Sequence, residues 1–239
     1  MAEKTLPIYN LPDLNNKQLM FDSGVAWHLT TTNDRMGRFL AHYEAYKMIV
    51  NIPGDIIECG VFKGESLTRF AHFREILGSN NSSKIIGFDN FDNVYPNTVY
   101  EEDKETRQFW IDTANSSSIS VEQLSKVFDH HKFENYTFIK GDITKNVPNF
   151  LKENSGMKIS LLNIDCDFVE PTYTALKHCW PYISKGGIVL LDNYSGSSVD
   201  GHSYHGDTKG VEDFLNELDE KPIIKKFNWV CRPCYIIKQ

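Results

Sequence analysis

Apolar and polar positions follow two rhythms along this chain, and the rhythms take turns. From Asn33 to about Val50, Met36, Phe39, Leu40, Tyr43, Tyr46 and Ile49 recur at steps near three and four. That is the spacing of one helix face, with Asn33 or Asp34 as the candidate cap. "NIPGD" breaks the helix. A β-type run, "DIIECG", follows, then a glycine-bearing turn, "VFKGES", then a helix carried by Leu67, Phe70, Ala71 and Ile76. The order repeats further on. Strands are predicted at "KIIGF", "NYTFIK", "MKISLLNI" and "GGIVLL", and helices at "SVEQLSKVFDHH", "EPTYTALKHCWPYI" and "TKGVEDFLNEL". Pro171 falls in the first turn of its helix, where proline is tolerated. The tail, "PIIKKFNWVCRPCYIIKQ", holds two β-type runs, expected as an antiparallel pair at the sheet edge. Residues 92–118 read as polar and irregular, with a helical turn around "DKETRQFW". Residues 1–30 show weak periodicity and read as an arm or lid. The expected organisation is therefore an N-terminal arm and lid helix, 1–50, and an α/β domain, 51–239.

Strands alternating with helices predict a mostly parallel sheet covered on both faces. Ligands of such sheets lie at the carboxyl ends of the strands. Here those ends carry Glu58, Asp89, Asp142, Asp165 and Asp192, an acid at or just beyond each of five strands. Any one of them reads as a solvated loop residue. Five at one edge read as a site.

Composition narrows the classes. The chain has 239 residues, 41% of them hydrophobic, which suits one sizeable domain. A net charge of -7 and no basic cluster argue against nucleic acid as a partner. No apolar run is long enough to span a membrane, and the N-terminus lacks the basic-then-apolar pattern of a secretory signal. Five scattered cysteines read as free thiols of a cytoplasmic protein. "CRPC" is a Cys-x-x-Cys in a β-type run rather than at a helix start, and reads as structural.

The turn "ECGVFKGES" places Gly60 and Gly64 between the first strand and its helix. It lacks the third glycine of a dinucleotide fingerprint, and Glu58 would repel a pyrophosphate. A ligand with a positive group and no phosphate suits it better. Asp89 can accept from ribose hydroxyls and Asp142 from an adenine amino group. S-adenosylmethionine joins a cationic sulfonium, an amino-acid tail and an adenosine, and satisfies all three. The candidate cofactor set is Glu58, Gly60, Val61, Phe62, Gly64, Ser66, Asp89, Asn90, Phe91, Asp142, Ile143 and Asp165.

Five stretches, "PGDIIECGVFKGES", "IIGFDNF", "KGD", "NIDCDFVEPTYTALKHCWPYISKGGIVLLDNY" and "HGDTKGVEDFL", together resemble the macrocin O-methyltransferase family. The resemblance covers about residues 34 to 218 and is most specific from Asp165 to Tyr194. It implies the class I methyltransferase fold, a Rossmann-like sheet of seven strands with an N-terminal helical lid. It also implies methyl transfer to a sugar hydroxyl with the help of magnesium or another divalent metal. By that resemblance Asp165, Asp192 and Asn193 stand at the metal positions and Asp167 at that of the general base. Asn193 replaces the family's second carboxylate, a change magnesium tolerates because amide oxygens also bind it. Trp27, His28, Asp34 and Arg38 would belong to the lid, and Glu170 only to a helix start.

His202 and His205, in the polar loop 194–207, are candidate acceptor contacts, against the plainer reading of solvated loop histidines. The expected acceptor is a small sugar-containing molecule. The N-terminal arm is a candidate contact of a homodimer. The competing readings are an NAD-binding oxidoreductase and a non-catalytic nucleoside-binding protein.

Overall fold

A computed structural model describes residues 6–78, 83–92, 98–114, 116–195 and 203–239. Its centre is a seven-stranded sheet in the order β3-β2-β1-β4-β5-β7-β6. The strands are β1 (Asp55–Cys59), β2 (Ile85–Asp89), β3 (Tyr136–Lys140), β4 (Ile159–Ile164), β5 (Ile183–Leu191), β6 (Lys225–Lys226) and β7 (Cys234–Ile237). The first five pair in parallel, while β7 runs antiparallel to both β5 and β6. The tail thus forms the antiparallel pair expected of it, with β7 placed inside β6.

Helices cover both faces. They are α1 (Lys17–Thr30), α2 (Asn33–Ile49), α3 (Glu65–Leu77), α4 (Glu101–Thr113), α5 (Val121–His130), α6 (Ile143–Glu153), α7 (Val169–Cys179) and α8 (His205–Leu215). Successive side chains of a strand point to opposite faces. Ile56 accordingly packs in the layer of α2, α3 and α5, while Ile57 and Cys59 pack in that of α6, α7 and α8. Glu58 follows Ile56 in that alternation, so an acid lies on the α2–α3 face of the sheet.

Three differences from the sequence reading have physical causes. Helix α4 replaces the expected irregular stretch. Its buried side chains are Asp103 and Thr106, so no apolar stripe announces it. Helix α6 was not anticipated. Pro148 lies inside it, although Ile143, Val147 and Leu151 follow one another at steps of four. The cap of α2 is Thr32, whose hydroxyl accepts from the Arg35 N–H at 3.3 Å, rather than Asn33 or Asp34.

The N-terminal segment divides in two. Residues 6–9 form a strap on the body of the domain: Ser117 N–H donates to Pro7 O at 2.8 Å, Tyr9 N–H to Ser117 Oγ at 3.0 Å, and Gln123 Nε2 to Tyr9 O at 2.8 Å. Helix α1 buries none of its side chains. Its Trp27 packs on Phe39, and with Phe73 and Ile76 these rings line a groove beside α3. Among the described residues no helix is long and apolar enough to cross a membrane.

Candidate active site

Two tight backbone passages shape the carboxyl edge of the sheet. Gly60 has φ +91°, and a Cβ on it would lie 1.8 Å from the carbonyl oxygen of Asp165. Only glycine lets β1 leave the sheet so close to the end of β4. Gly64, at φ +79°, caps α3 without a side chain. Asp89 ties the turn between them to β2. Its Oδ2 accepts from the N–H groups of Val61 (2.8 Å) and Phe62 (3.0 Å), and its Oδ1 accepts from Phe91 N–H (2.7 Å). The turn residues and Asp89 are therefore one unit, with both Asp89 oxygens engaged by backbone N–H groups.

Beneath that turn Glu58 is fully buried. Its Oε1 accepts from Ser66 Oγ at 2.7 Å, while Oε2 lacks an aligned donor among the described residues. Asn163 of β4 is its register neighbour, and neither amide atom of Asn163 makes an aligned hydrogen bond either. Burial pushes the Glu58 carboxyl up to about 8, against the smaller opposing influence of Ser66 and Asn163. A buried carboxyl whose second oxygen has only the imperfectly aligned Asn163 amide beside it fits a positively charged ligand group. Asp142 is more remote in character. It is exposed and caps α6, accepting from Thr144 N–H at 3.0 Å, with Ile143 beginning the helix.

The other expected acids converge. Asn193 Nδ2 lies 2.7 Å from Asp167 Oδ1, 3.1 Å from Asp207 Oδ2 and 3.2 Å from Asp165 Oδ1, so its two hydrogens are shared among three acceptors. Asp192 faces the same cluster from β5, and one guanidinium nitrogen of Arg38 links the two ends. That nitrogen donates to Asp192 Oδ2 and lies 4.0 Å from Asp165 Oδ2. His42 Nε2 is 3.7 Å from Asp192 Oδ1, and Arg69 donates to His42 Nδ1 at 3.0 Å. Burial holds His42 neutral, down to about 4.

Four carboxyls in one pocket cannot all be charged cheaply. Burial raises Asp165 and Asp167 well above the usual carboxylate range, and the neighbouring acids add to it. Burial also pushes Asp207 up to about 7, against bonds from Thr172 and Asn193. Asp192 goes the other way: burial opposes its charge, but Arg38 and His42 hold it well below the usual range.

Two neighbours fix Asp167, which itself has φ +65°. Asn193 reaches Oδ1, and Trp110 of α4 donates its indole N–H to Oδ2 at 3.0 Å. Asn193 is in turn held by Arg232, whose Nη1 donates to its amide oxygen at 2.5 Å. The amide oxygen thus faces Arg232 and the nitrogen faces the acids. His205 opens α8 exposed, and it is the buried Tyr204 and Asp207 beside it that border the cluster. His202 lies outside the described residues.

Asp207, Trp110, Arg232, His42 and Asn163 escaped the sequence reading. Asp207 alone left a trace, the "HGD" that the sequence reads as the end of the polar loop 194–207 and the structure places in the first turn of α8.

A parallel sheet of this order, ending in an antiparallel strand, with a glycine turn after β1 and acids after β4 and β5, defines a class I methyltransferase fold. Solved structures agree. NovP, an O-methyltransferase, superposes with a TM-score of 0.69 at 18% identity, covering 84% of this chain and 79% of that one. CalS11, described as a TDP-rhamnose 3'-O-methyltransferase of calicheamicin biosynthesis, superposes at 0.63 with 24% identity, covering 94% and 89%. The chain belongs to the macrocin-O-methyltransferase (TylF) family, whose profile matches residues 15–226. A relative from Streptomyces olivaceus, 8-demethyl-8-(2,3-dimethoxy-alpha-L-rhamnosyl)-tetracenomycin-C 4'-O-methyltransferase, is 25% identical over 178 residues. That match spans 70% of this chain and 64% of the relative's length.

Proposed function

We propose that the protein transfers a methyl group from S-adenosylmethionine to a hydroxyl of a sugar-containing small molecule, assisted by a divalent cation. The observation that carries this reading is the close passage of Gly60 against the Asp165 carbonyl, which sets the glycine turn beside the acid cluster. Family membership and the relative that methylates a sugar 4'-oxygen support the substrate class.

S-adenosylmethionine supplies the activated methyl group. On this reading Glu58 and Ser66 would receive its charged amino-acid end, and the Val61–Phe62 backbone with Asp89 would frame the nucleoside side. Asn90 and Phe91 extend that frame beyond β2.

Among the described residues no three His, Cys, Asp or Glu side chains are arranged to hold a metal ion. The donor chemistry nevertheless fits a hard cation, since it is oxygen-rich and has a surplus of carboxyls that burial and mutual repulsion push up. Asp165 and Asp192 would hold the ion, and Asn193 would join them only with its amide turned. A bound cation would acidify the acceptor hydroxyl and orient it.

Asp167 takes the hydroxyl proton on this reading. Trp110 and Asn193 fix both of its oxygens, so its position is set before the acceptor arrives. The five free cysteines accord with a reducing, cytoplasmic setting.

The test is methyl transfer from labelled S-adenosylmethionine to a panel of nucleotide sugars and glycosylated natural products. Transfer should stop with chelator and return with magnesium. Asp167→Asn should lose about 10²–10⁴-fold in rate while S-adenosylhomocysteine binding persists. Undiminished transfer in chelator would remove the cation from the reading. No transfer to any hydroxyl would remove the activity.

A further inference from the structure

The acid cluster already has a cation beside it, and it comes from the protein. Arg38 belongs to α2, the helix preceding the sheet, yet its Nη2 lies between the two carboxyls that the metal reading assigns as ligands. It donates to Asp192 Oδ2 and approaches Asp165 Oδ2 at 4.0 Å. A divalent ion needs those same lone pairs at little more than 2 Å. A guanidinium and a metal ion cannot share them.

From this geometry we propose that Arg38 is a built-in competitor of the divalent cation, which gains Asp165 and Asp192 only when the Arg38 side chain leaves. The proposal rests on the metal reading above and adds its regulation by a residue of this chain.

Three observations support exchange rather than a permanent ion pair. The Arg38 side chain keeps 25% of its surface exposed, whereas its partner Asp192 keeps 1%, so the arginine has a way out and the aspartate has none. Arg38 Nε makes no aligned hydrogen bond among the described residues, so the guanidinium is held by one end. Glu65, the first residue of α3, is largely exposed, lies close enough to attract the Arg38 guanidinium and already pairs with Arg35 and Arg69, so the displaced group would join an existing cluster around that acid. The remaining neighbours of Asp192 do not replace it. His42 Nε2 stands 3.7 Å from Asp192 Oδ1, farther than the Arg38 guanidinium, and Arg69 is engaged with His42 and Glu65. Removing Arg38 therefore leaves a buried carboxylate without its counter-ion, which increases its demand for a metal.

The experiment is Mn²⁺ binding to the full chain, read from the electron paramagnetic resonance signal of free Mn²⁺. Wild type, Arg38→Gln, Arg38→Lys and Asp165→Asn are compared. An arginine engaged about nine-tenths of the time or more leaves the acids free at most about one-tenth of the time and weakens apparent affinity by that fraction, so R38Q should bind at least about tenfold more tightly than wild type. R38K keeps the charge and should fall between them, and D165N should bind weakly. R38Q equal to or weaker than wild type, with wild type binding well, overturns the competition and leaves the metal reading standing. Binding by none of the proteins overturns both. Should R38Q fail to fold, wild type still decides: the Arg38 Nε–H resonance must move on saturation with Mg²⁺, and an unmoved resonance overturns the proposal.

Discussion

Trp110 donates its indole N–H to Asp167 Oδ2 at 3.0 Å, joining α4 to the loop after β4. The same indole packs on Phe62 of the glycine turn, ring centres 5.5 Å apart. One side chain thus touches the frame of the donor seat and the carboxyl proposed as base. Replacing Trp110 by Phe keeps the ring contact and removes the donor. A hydrogen bond to a charged group contributes about 1.5–3 kcal/mol, so kcat should fall about 10- to 100-fold. Steady-state kinetics should show that fall with the KM for S-adenosylmethionine little changed. An unaltered kcat would separate Trp110 from the base.

Glu58 predicts how stability responds to pH. Its folded carboxyl is raised from 4.5 to about 8, so the folded protein binds the proton more tightly than the unfolded chain. Its contribution is fully present below the unfolded value and is lost as pH rises through 8. Over that window the loss is of the order of several kcal/mol. Melting temperature should therefore decline between pH 5 and 8.5 in wild type and decline less in Glu58→Gln. A cationic ligand group beside Glu58 should expel its proton. Titration of S-adenosylmethionine near neutral pH in buffers of different ionisation enthalpy should show that release, and E58Q should not.

Asp103 predicts what secures α4. It is buried, its Oδ1 accepts from Val169 N–H at 3.0 Å and its Oδ2 from Thr98 Oγ1 at 2.7 Å. The first bond supplies α7 with an acceptor that its own cap residue, Phe168, does not provide. Asp103→Ala leaves a buried donor unpaired and should cost about 1–3 kcal/mol in urea unfolding. Activity should fall beyond that loss, since α4 carries Trp110.

Gly60→Ala tests the close passage between β1 and β4. The added Cβ would enter the Asp165 carbonyl, and the backbone conformation disfavours any side chain. Both effects act on the same contact, so the variant should either fail to fold or lose S-adenosylhomocysteine binding. Wild-type affinity measured by calorimetry would contradict the account.

The framework of the fold was legible because its elements are apolar on schedule. The runs of β1, β2, β4 and β5 and the stripe of α2 declare themselves. Helix α4 did not, because what it buries is an aspartate and a threonine whose partners are distant in sequence. The site divides in the same way. Asp165, Asp167 and Asp192 stand at strand ends and could be read from position. Trp110, Arg232 and His42 reach the cluster from α4, the C-terminal loop and α2, and no local pattern records that meeting. The orientation of Asn193 could not be read at all, since it depends on Arg232 lying on its far side.

The strap at Pro7–Tyr9 has a consequence for α1. Fastened upstream at residue 9 and downstream where α2 begins, the helix is a span between two abutments. Its exposed Phe21 and Leu29 therefore remain at a fixed local dose beside the domain. A single proteolytic nick between residues 10 and 16 would convert that span into a free end, leaving the sheet and the acid cluster intact.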